Sequence, residues 1–390
     1  MTDHTPVHPF DLQARAAAAA RSLTALRDPA RDGLLYFLGE WRTRPPIAYH
    51  GLWDCGDGTG RHVDALTLAR TMVRHDSPAA TSDDGEADLE AWLLRLLHDD
   101  GLSWLPPEPW AEPWGKEVLL ADPHAPGPFA EISWAQRGTL LGLTSRWLRT
   151  GNELYLDRAR RMVDGLLQVA LHDSHGLYYP EGYIRQSGWR FDRPGLHPAI
   201  EEYNAAVAIA ALRFYEASGY EPALELARGL ITNALYYTPC YLPDGRLRPT
   251  TGELEGHFHT HSNFVLAVLK LGLVLGQREY VSWARQTYTV LRAWGTDFGW
   301  FPEGFGLRHG EICCTTDMIE LALLLGRHID RVYYADAERF GRNHLLESQF
   351  LSLDRLHAAL DRLPPLERQP SAPAGTYTFE RVAESQIGGF

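Results

Sequence analysis

The stretch LLGLTSRWLRTGNELYLDRAR (Leu140–Arg160) decides the fold. Its apolar residues recur at helical spacing up to Gly151, and a second helical run follows at once, carrying the pair Ala159 and Arg160. A glycine at a helix end takes the left-handed conformation that other residues avoid, so the stretch reads as a helical hairpin. The pattern returns in AIAALRFYEASGYEPALELAR (Ala208–Arg228), AVLKLGLVLGQREYVSWAR (Ala267–Arg285) and IELALLLGRHIDRVYYADAERF (Ile319–Phe340). The turn glycines Gly151, Gly219, Gly276 and Gly326 are 68, 57 and 50 residues apart, so the unit is a helix pair with a variable loop. Ala159, Ala227 and Ala284 stand eight residues after their glycines, and Ala337 takes that place after a longer turn.

A single hairpin cannot bury its apolar face, so the repeats must stack. Further helical runs near 11–27, 62–75 and 86–99 bring the expectation to about eleven helices, close to the twelve of an all-α (α/α)6 toroid. An open solenoid competes, but its repeats are shorter and more regular. A closed ring gathers the loops that lead into its inner helices on one face. Those loops are GLWDCGDGTGRH (51–62), GWRFDRPGLHPAIEEYN (188–204), GELEGHFHTHSN (252–263) and GTDFGWFPEGFGLRHGEICC (295–314). All four are expected over one cavity.

The 390 residues carry a formal net charge of −13, which argues against a nucleic-acid partner, since such binding relies on clustered Lys and Arg. No window of about 18 apolar residues stands out, so no membrane span is expected. The N-terminus lacks a cationic start followed by an apolar stretch, so no signal peptide is read. Four cysteines, Cys55, Cys240, Cys313 and Cys314, make a poor disulfide framework, which suits a reduced, cytoplasmic location. Residues 1–360 are expected to form one barrel, with 361–390 as a Pro-rich extension. The composition leaves room for a homo-oligomer. The 12 Trp, 17 Tyr and 14 Phe suit a carbohydrate cleft, where rings offer flat apolar platforms, and equally a large helical core.

Glu311, Cys313 and Cys314 combine thiols with a carboxylate, a set that suits zinc, and a local positive charge would favour a nucleophilic thiolate. The plainer reading makes both cysteines small buried residues at a helix start. Glu303 sits among glycines, a proline and aromatic residues, where lost solvation would suit a general acid, or where it is a solvated loop residue. His257, His259 and His261 alternate, and an extended segment would turn all three to one face, toward a metal or sugar hydroxyls. Glu202 and Tyr203 open a helix, as first-turn residues or as ligand contacts. Asp54 and Asp57 belong to a turn that borders the same cavity. Cys55 and Cys240 are read as structural.

These motifs resemble glycoside hydrolase family 127, the β-L-arabinofuranosidases with an (α/α)6 barrel. PEGFG (302–306) followed by EIC (311–313) is similar to the family's Glu-bearing glycine loop and its E-[ST]-C motif, at a shorter spacing. GRNHLLESQ (341–349) resembles the family's Y-N-x-x-L-x-x-Q, and HTHSN (259–263) is weakly similar to its H-A-N-T loop. The motifs cover roughly residues 250–350. The resemblance implies Glu303 as general acid/base, with Glu311 and Cys313 as zinc ligands. The family's nucleophile is a zinc-bound cysteine in a later Cys-Cys pair, and no cysteine follows Cys314 here. Either Cys314 takes that thiolate's place, or the chain is shortened and the site incomplete. The function expected is therefore a hydrolase of furanosidic or related sugars using zinc, Glu303, Cys313 and Cys314. A sugar epimerase or uronyl hydrolase, and a non-catalytic sugar-binding barrel, are the alternatives.

Overall fold

The computed structural model describes residues 10–51, 54–74, 84–105, 130–180, 183–184, 205–238, 240–246, 257–304, 307–366 and 375–389. Helix α1 (Leu12–Ser22) precedes five hairpins: α2 (Asp57–Met72) with α3 (Asp84–Arg95), α4 (Trp134–Thr150) with α5 (Glu153–Val169), α6 (Ala205–Ser218) with α7 (Glu221–Tyr237), α8 (Phe258–Leu275) with α9 (Arg278–Arg292), and α10 (Ile312–His328) with α11 (Tyr334–Phe340). Helices α2, α4, α6, α8 and α10 pack side by side in that order, each backed by its hairpin partner. This is the α/α toroid expected from the repeats.

The two layers differ in sequence for a physical reason. An outer helix needs one apolar stripe, and α9 supplies it with Trp283, Ala284, Tyr288 and Leu291. An inner helix is enclosed on nearly all sides, and α8 is buried from Phe258 through Leu269 without a break. At 18 residues and mean hydropathy 1.3, α8 is long and apolar enough to cross a membrane, contrary to the reading of the sequence. Its place inside the ring accounts for that composition, since 78% of it is buried. The recurring Ala159, Ala227 and Ala284 are fully buried in the core.

Gly151, Gly219 and Gly276 are left-handed, with φ of +67°, +67° and +65°, and space around them is open. Gly326 departs from this pattern. It lies inside α10, where an added Cβ would sit 2.6 Å from the ring of Tyr334, so it permits close packing rather than a turn.

The ring closes between α10 and α2 through contacts far apart in sequence. The Arg15 guanidinium of α1 donates to the Leu346 carbonyl at 2.9 Å, and Gln349 Nε2 donates to the carbonyls of Arg15 (3.1 Å) and Gly388 (2.7 Å). The segment read as a Pro-rich extension, 361–390, packs into this closure over its described part. Tyr377 and Thr378 pair with Tyr49 and Ala48, and Ser22 donates to the Ser385 carbonyl at 2.9 Å.

Helices α2 and α4 approach backbone to backbone. A Cβ on Gly60 would lie 2.1 Å from the Gly138 carbonyl carbon, and one on Gly138 would lie 2.7 Å from the Asp57 oxygen. Lower in the ring, buried polar pairs bind the same helices: Asp64 joins Ser145 and Arg213 across α2, α4 and α6, and Glu86 joins Arg70 and Arg146.

Gly138→Ala forces a methyl against an immobile backbone and is expected to lower the unfolding free energy by about 3 kcal/mol or more. Gly151→Ala meets only left-handed strain, on the order of 1 kcal/mol. Urea unfolding of both variants checks the order, and an equal loss would contradict the packing account.

Candidate active site

The inner helices run parallel, so their first turns meet at one rim, as expected for the loops of 51–62, 252–263 and 295–314. There a cavity of about 710 Å³ is lined by residues that include Asp57 and Arg61 from α2, Trp134 from α4, His257 and His259 at the start of α8, and Ile312 and Cys313 from α10. Phe37, Leu38, Glu303 and Glu311 complete the lining among the described residues. The loop before α10 is tied to the start of α8: Phe258 N–H donates to the Glu303 carbonyl at 2.7 Å, and Glu303 N–H donates to the His309 carbonyl at 3.0 Å. Those two bonds fix where the Glu303 side chain emerges. Its carboxylate is about a third exposed and pairs with His309 Nε2 at 2.5 Å, rather than being enclosed by aromatic rings.

His257, Glu311, Cys313 and Cys314 offer four ligand atoms that all lie within 4.8 Å of one another. His257 Nε2 is 2.6 Å from Glu311 Oε2, and the Cys313 thiol donates to the same oxygen at 3.0 Å. Burial opposes the Glu311 charge, yet the hydrogen bonds from His257 and Cys313 hold its carboxyl down at about 2. The adjacent Cys314 and burial push the Cys313 thiol well above the usual range. A sulfur so placed stays protonated unless a cation arrives. One imidazole, one carboxylate and two thiols form a donor set that suits zinc, and the residues present fit that metal.

Behind this group lies a buried polar network. Asp317 Oδ2 accepts from His259 Nδ1 (2.7 Å), Ser262 Oγ (2.6 Å) and Asn263 Nδ2 (2.6 Å). Asn263 Oδ1 accepts from Arg137 at 3.1 Å, and the Arg137 guanidinium lies 4.3 Å over the Trp134 ring. Trp134 in turn stacks on His259 with centroids 5.4 Å apart. Burial disfavours a charged His259, but the Asp317 carboxylate, helped by Cys313, raises it to about 9.

The structure thus gathers Glu303, Glu311, Cys313, His259 and Asp57 around one space. Cys314 is fully buried beneath it and outside the lining, so its sulfur faces the ligand group rather than the open cavity. Of the three alternating histidines, His257 and His259 line the cavity, and His261, inside the helix that begins at Phe258, does not. His261 is fully buried against the Tyr241 hydroxyl at 2.7 Å. Asp54 also misses the cavity. Its buried carboxyl pairs with His50 and accepts from Phe37 N–H at 3.1 Å, and burial raises it to about 6. Glu202 and Tyr203 lie outside the described residues. Sequence reasoning missed Trp134, Arg137 and Asp317, which sit inside helices whose apolar periodicity hid them. An acidic residue at an inward position of α10 was the available signal for Asp317.

Neither a protein-family model nor a curated protein matches the sequence. Solved structures do. A sugar epimerase from a ruminal bacterium aligns at TM-score 0.55 and 10% identity, over 88% of this chain and 87% of that one. A glycoside hydrolase family 76 mannosidase from Bacteroides thetaiotaomicron aligns at 0.52 and 12%, over 84% of each chain. A family 127 β-L-arabinofuranosidase from Geobacillus stearothermophilus aligns at 0.50 and 15%, over 77% of this chain, which spans about half (48%) of that protein. At such identities the likeness establishes the glycoside hydrolase-like α/α-barrel fold alone.

His259 is held charged by Asp317, so its contribution to stability is full below its unfolded value near 6.5 and is lost as pH rises through about 9. Asp317→Asn is expected to bring the His259 titration well below 9, because Cys313 alone is then left to oppose burial, and to diminish the loss of stability between pH 6.5 and 9. Imidazole NMR titration with urea unfolding across that range checks both. An unchanged His259 titration would refute the assignment.

Proposed function

We propose that this protein is a sugar-processing enzyme that hydrolyses a furanosidic or related glycoside, with Cys313 as nucleophile and Glu303 as general acid/base. The observation that carries the reading is the convergence of His257, Glu311, Cys313 and Cys314 beside a cavity that Glu303 also lines. The fold shared with two glycoside hydrolases and a sugar epimerase supports a carbohydrate ligand.

His257, Glu311, Cys313 and Cys314 are the residues that would hold zinc. Zinc, when bound, would supply the positive charge that keeps the Cys313 sulfur ionised. The sulfur attacks the anomeric carbon while Glu303 gives its proton to the departing oxygen. Glu303 then takes a proton from water, whose oxygen displaces the sulfur and restores the thiolate. Cys314 is too buried to touch the sugar and acts as a ligand. Trp134 lines the same cavity.

A second reading, a sugar epimerase, is favoured by His259. Its ring lines the cavity with Nδ1 fixed by Asp317, an arrangement suited to moving a proton at a carbon next to a carbonyl.

Elemental analysis is expected to find one zinc per chain, and His257→Ala and Cys314→Ser are expected to lose it. With aryl arabinofuranosides as probes, Glu303→Gln is expected to lower kcat by roughly 10²- to 10⁴-fold. The Cys313→Ser/Cys314→Ser double variant is expected to be inactive. Full turnover by that variant rules out the thiolate mechanism, and turnover of reducing sugars by it favours the epimerase. A metal-free protein that binds sugar and releases no product supports binding alone.

A further inference from the structure

One buried titratable cluster takes no part in the chemistry above, yet hydrogen bonds tie it to the cavity wall. The His50 imidazole sits between two carboxylates: Nδ1 meets Asp54, and Nε2 meets Asp28 at 3.0 Å. The side chains of His50 and Asp54 are fully buried, and that of Asp28 is only 5% exposed. Arg31 gives Asp28 a second partner at 2.9 Å, and the Tyr36 ring stacks on the imidazole at 4.0 Å. The main chain is held as well. His50 N–H donates to the Thr376 carbonyl at 2.8 Å, next to the pairing of Tyr49 with Tyr377. Any turn of the ring would strand a buried carboxylate, so the cluster keeps one arrangement.

Asp54 carries this rigidity to the cavity along two routes. Its Oδ1 accepts from Phe37 N–H at 3.1 Å, and its carbonyl accepts from Thr59 Oγ1 at 2.6 Å. Phe37 and Leu38 are half-buried lining residues, and Thr59 lies in the first turn of α2 between the lining residues Asp57 and Arg61. The routes meet again at Phe37. The Arg61 guanidinium lies 5.4 Å over its ring centroid, and His62 packs edge-on to it at 6.0 Å. Phe37 itself stands between strands of two and three residues, Leu34–Leu35 and Leu38–Glu40, which are too short to fix it alone.

We propose that His50, clamped by Asp28 and Asp54, is a positioning residue that fixes Phe37 and Arg61 as one face of the ligand site. His50 does this through Asp54, which joins the Phe37 main chain to the start of α2. The proposal concerns the wall of the cavity, and it rests on the sugar reading only for the choice of ligand probes.

Fluorine NMR of the full chain tests it without any ligand, with para-fluorophenylalanine placed at Phe37 and, as a control, at the fully buried Phe264 of α8. Asp54→Ala removes the acceptor of Phe37 N–H, and is expected to move and broaden the Phe37 resonance while leaving the Phe264 resonance unchanged. Asp54→Asn keeps an oxygen for that N–H and is expected to restore the wild-type Phe37 resonance. His50→Gln leaves the Phe37 acceptor in place but offers an amide oxygen to one of the two carboxylates, and it is expected to move the Phe37 resonance through Asp54. Should His50→Gln fail to fold, the two Asp54 variants decide the matter. Calorimetry with methyl glycosides of arabinofuranose, mannose and glucose reads the ligand face. Asp54→Ala is expected to weaken binding roughly three- to tenfold, the worth of one lost hydrogen bond, and Asp54→Asn to recover it. A Phe37 resonance unmoved by Asp54→Ala overturns the proposal, and so does an equal disturbance at Phe264, which would make the cluster part of the general core. A moved Phe37 resonance with unchanged affinity overturns the role in ligand binding. Failure of every sugar to bind the wild type overturns the sugar reading instead, and the fluorine spectra then decide the clamp by themselves.

Discussion

The backbone approach of α2 and α4 at Gly60, Gly138 and Gly142 is the constraint on which the rest of the molecule depends. With no Cβ at these positions, the Asp57 carbonyl rests close to Gly138, and the Gly60 carbonyl close to Gly142. The pair could not approach so closely with any side chain present. That approach sets the distance across the rim between the first turns of the two helices, and so places Asp57 and Arg61 beside Trp134 and Arg137. The polar pairs lower in the ring, Asp64 with Arg213 and Glu86 with Arg146, then have fixed partners for their buried charges. Such pairs do little for net stability but make other packings expensive, because a slipped helix would strand a charge.

At the rim, the same economy governs the site. Charges near the cavity are paired: Asp57 with Arg61 within α2, Glu303 with His309 within one loop, and Asp317 with His259 and Glu311 with His257 across elements. The adjacent Cys314 and burial raise the Cys313 thiol, and the helix N-terminus beneath it does not overcome that. A thiolate there depends on a further positive charge, which is why the sulfurs, Glu311 and His257 make chemical sense only as a group.

Much of the fold was legible because a helical hairpin is local. Periodic leucines, a left-handed glycine and a buried alanine repeat within a few turns of chain, and Gly151, Gly219 and Gly276 behave as their surroundings suggest. Gly326 shows the limit, since the same residue type serves inside α10 to admit the Tyr334 ring. The α8 sequence was harder. Its uniform apolarity fits both a membrane span and an enclosed inner helix, and only the ring around it distinguishes them.

The sequence by itself determined the hairpin repeat and pointed to Glu303, Glu311 and Cys313, which the structure places on one cavity, because each follows from short-range pattern and side-chain chemistry. Only the tertiary structure decided that His257 meets Glu311 across 54 residues, that Cys314 and His261 turn inward, and that Asp54 serves His50. Those outcomes depend on helix phase and ring radius. Both are set by the packing of all the inner helices at once, and no window of sequence contains them.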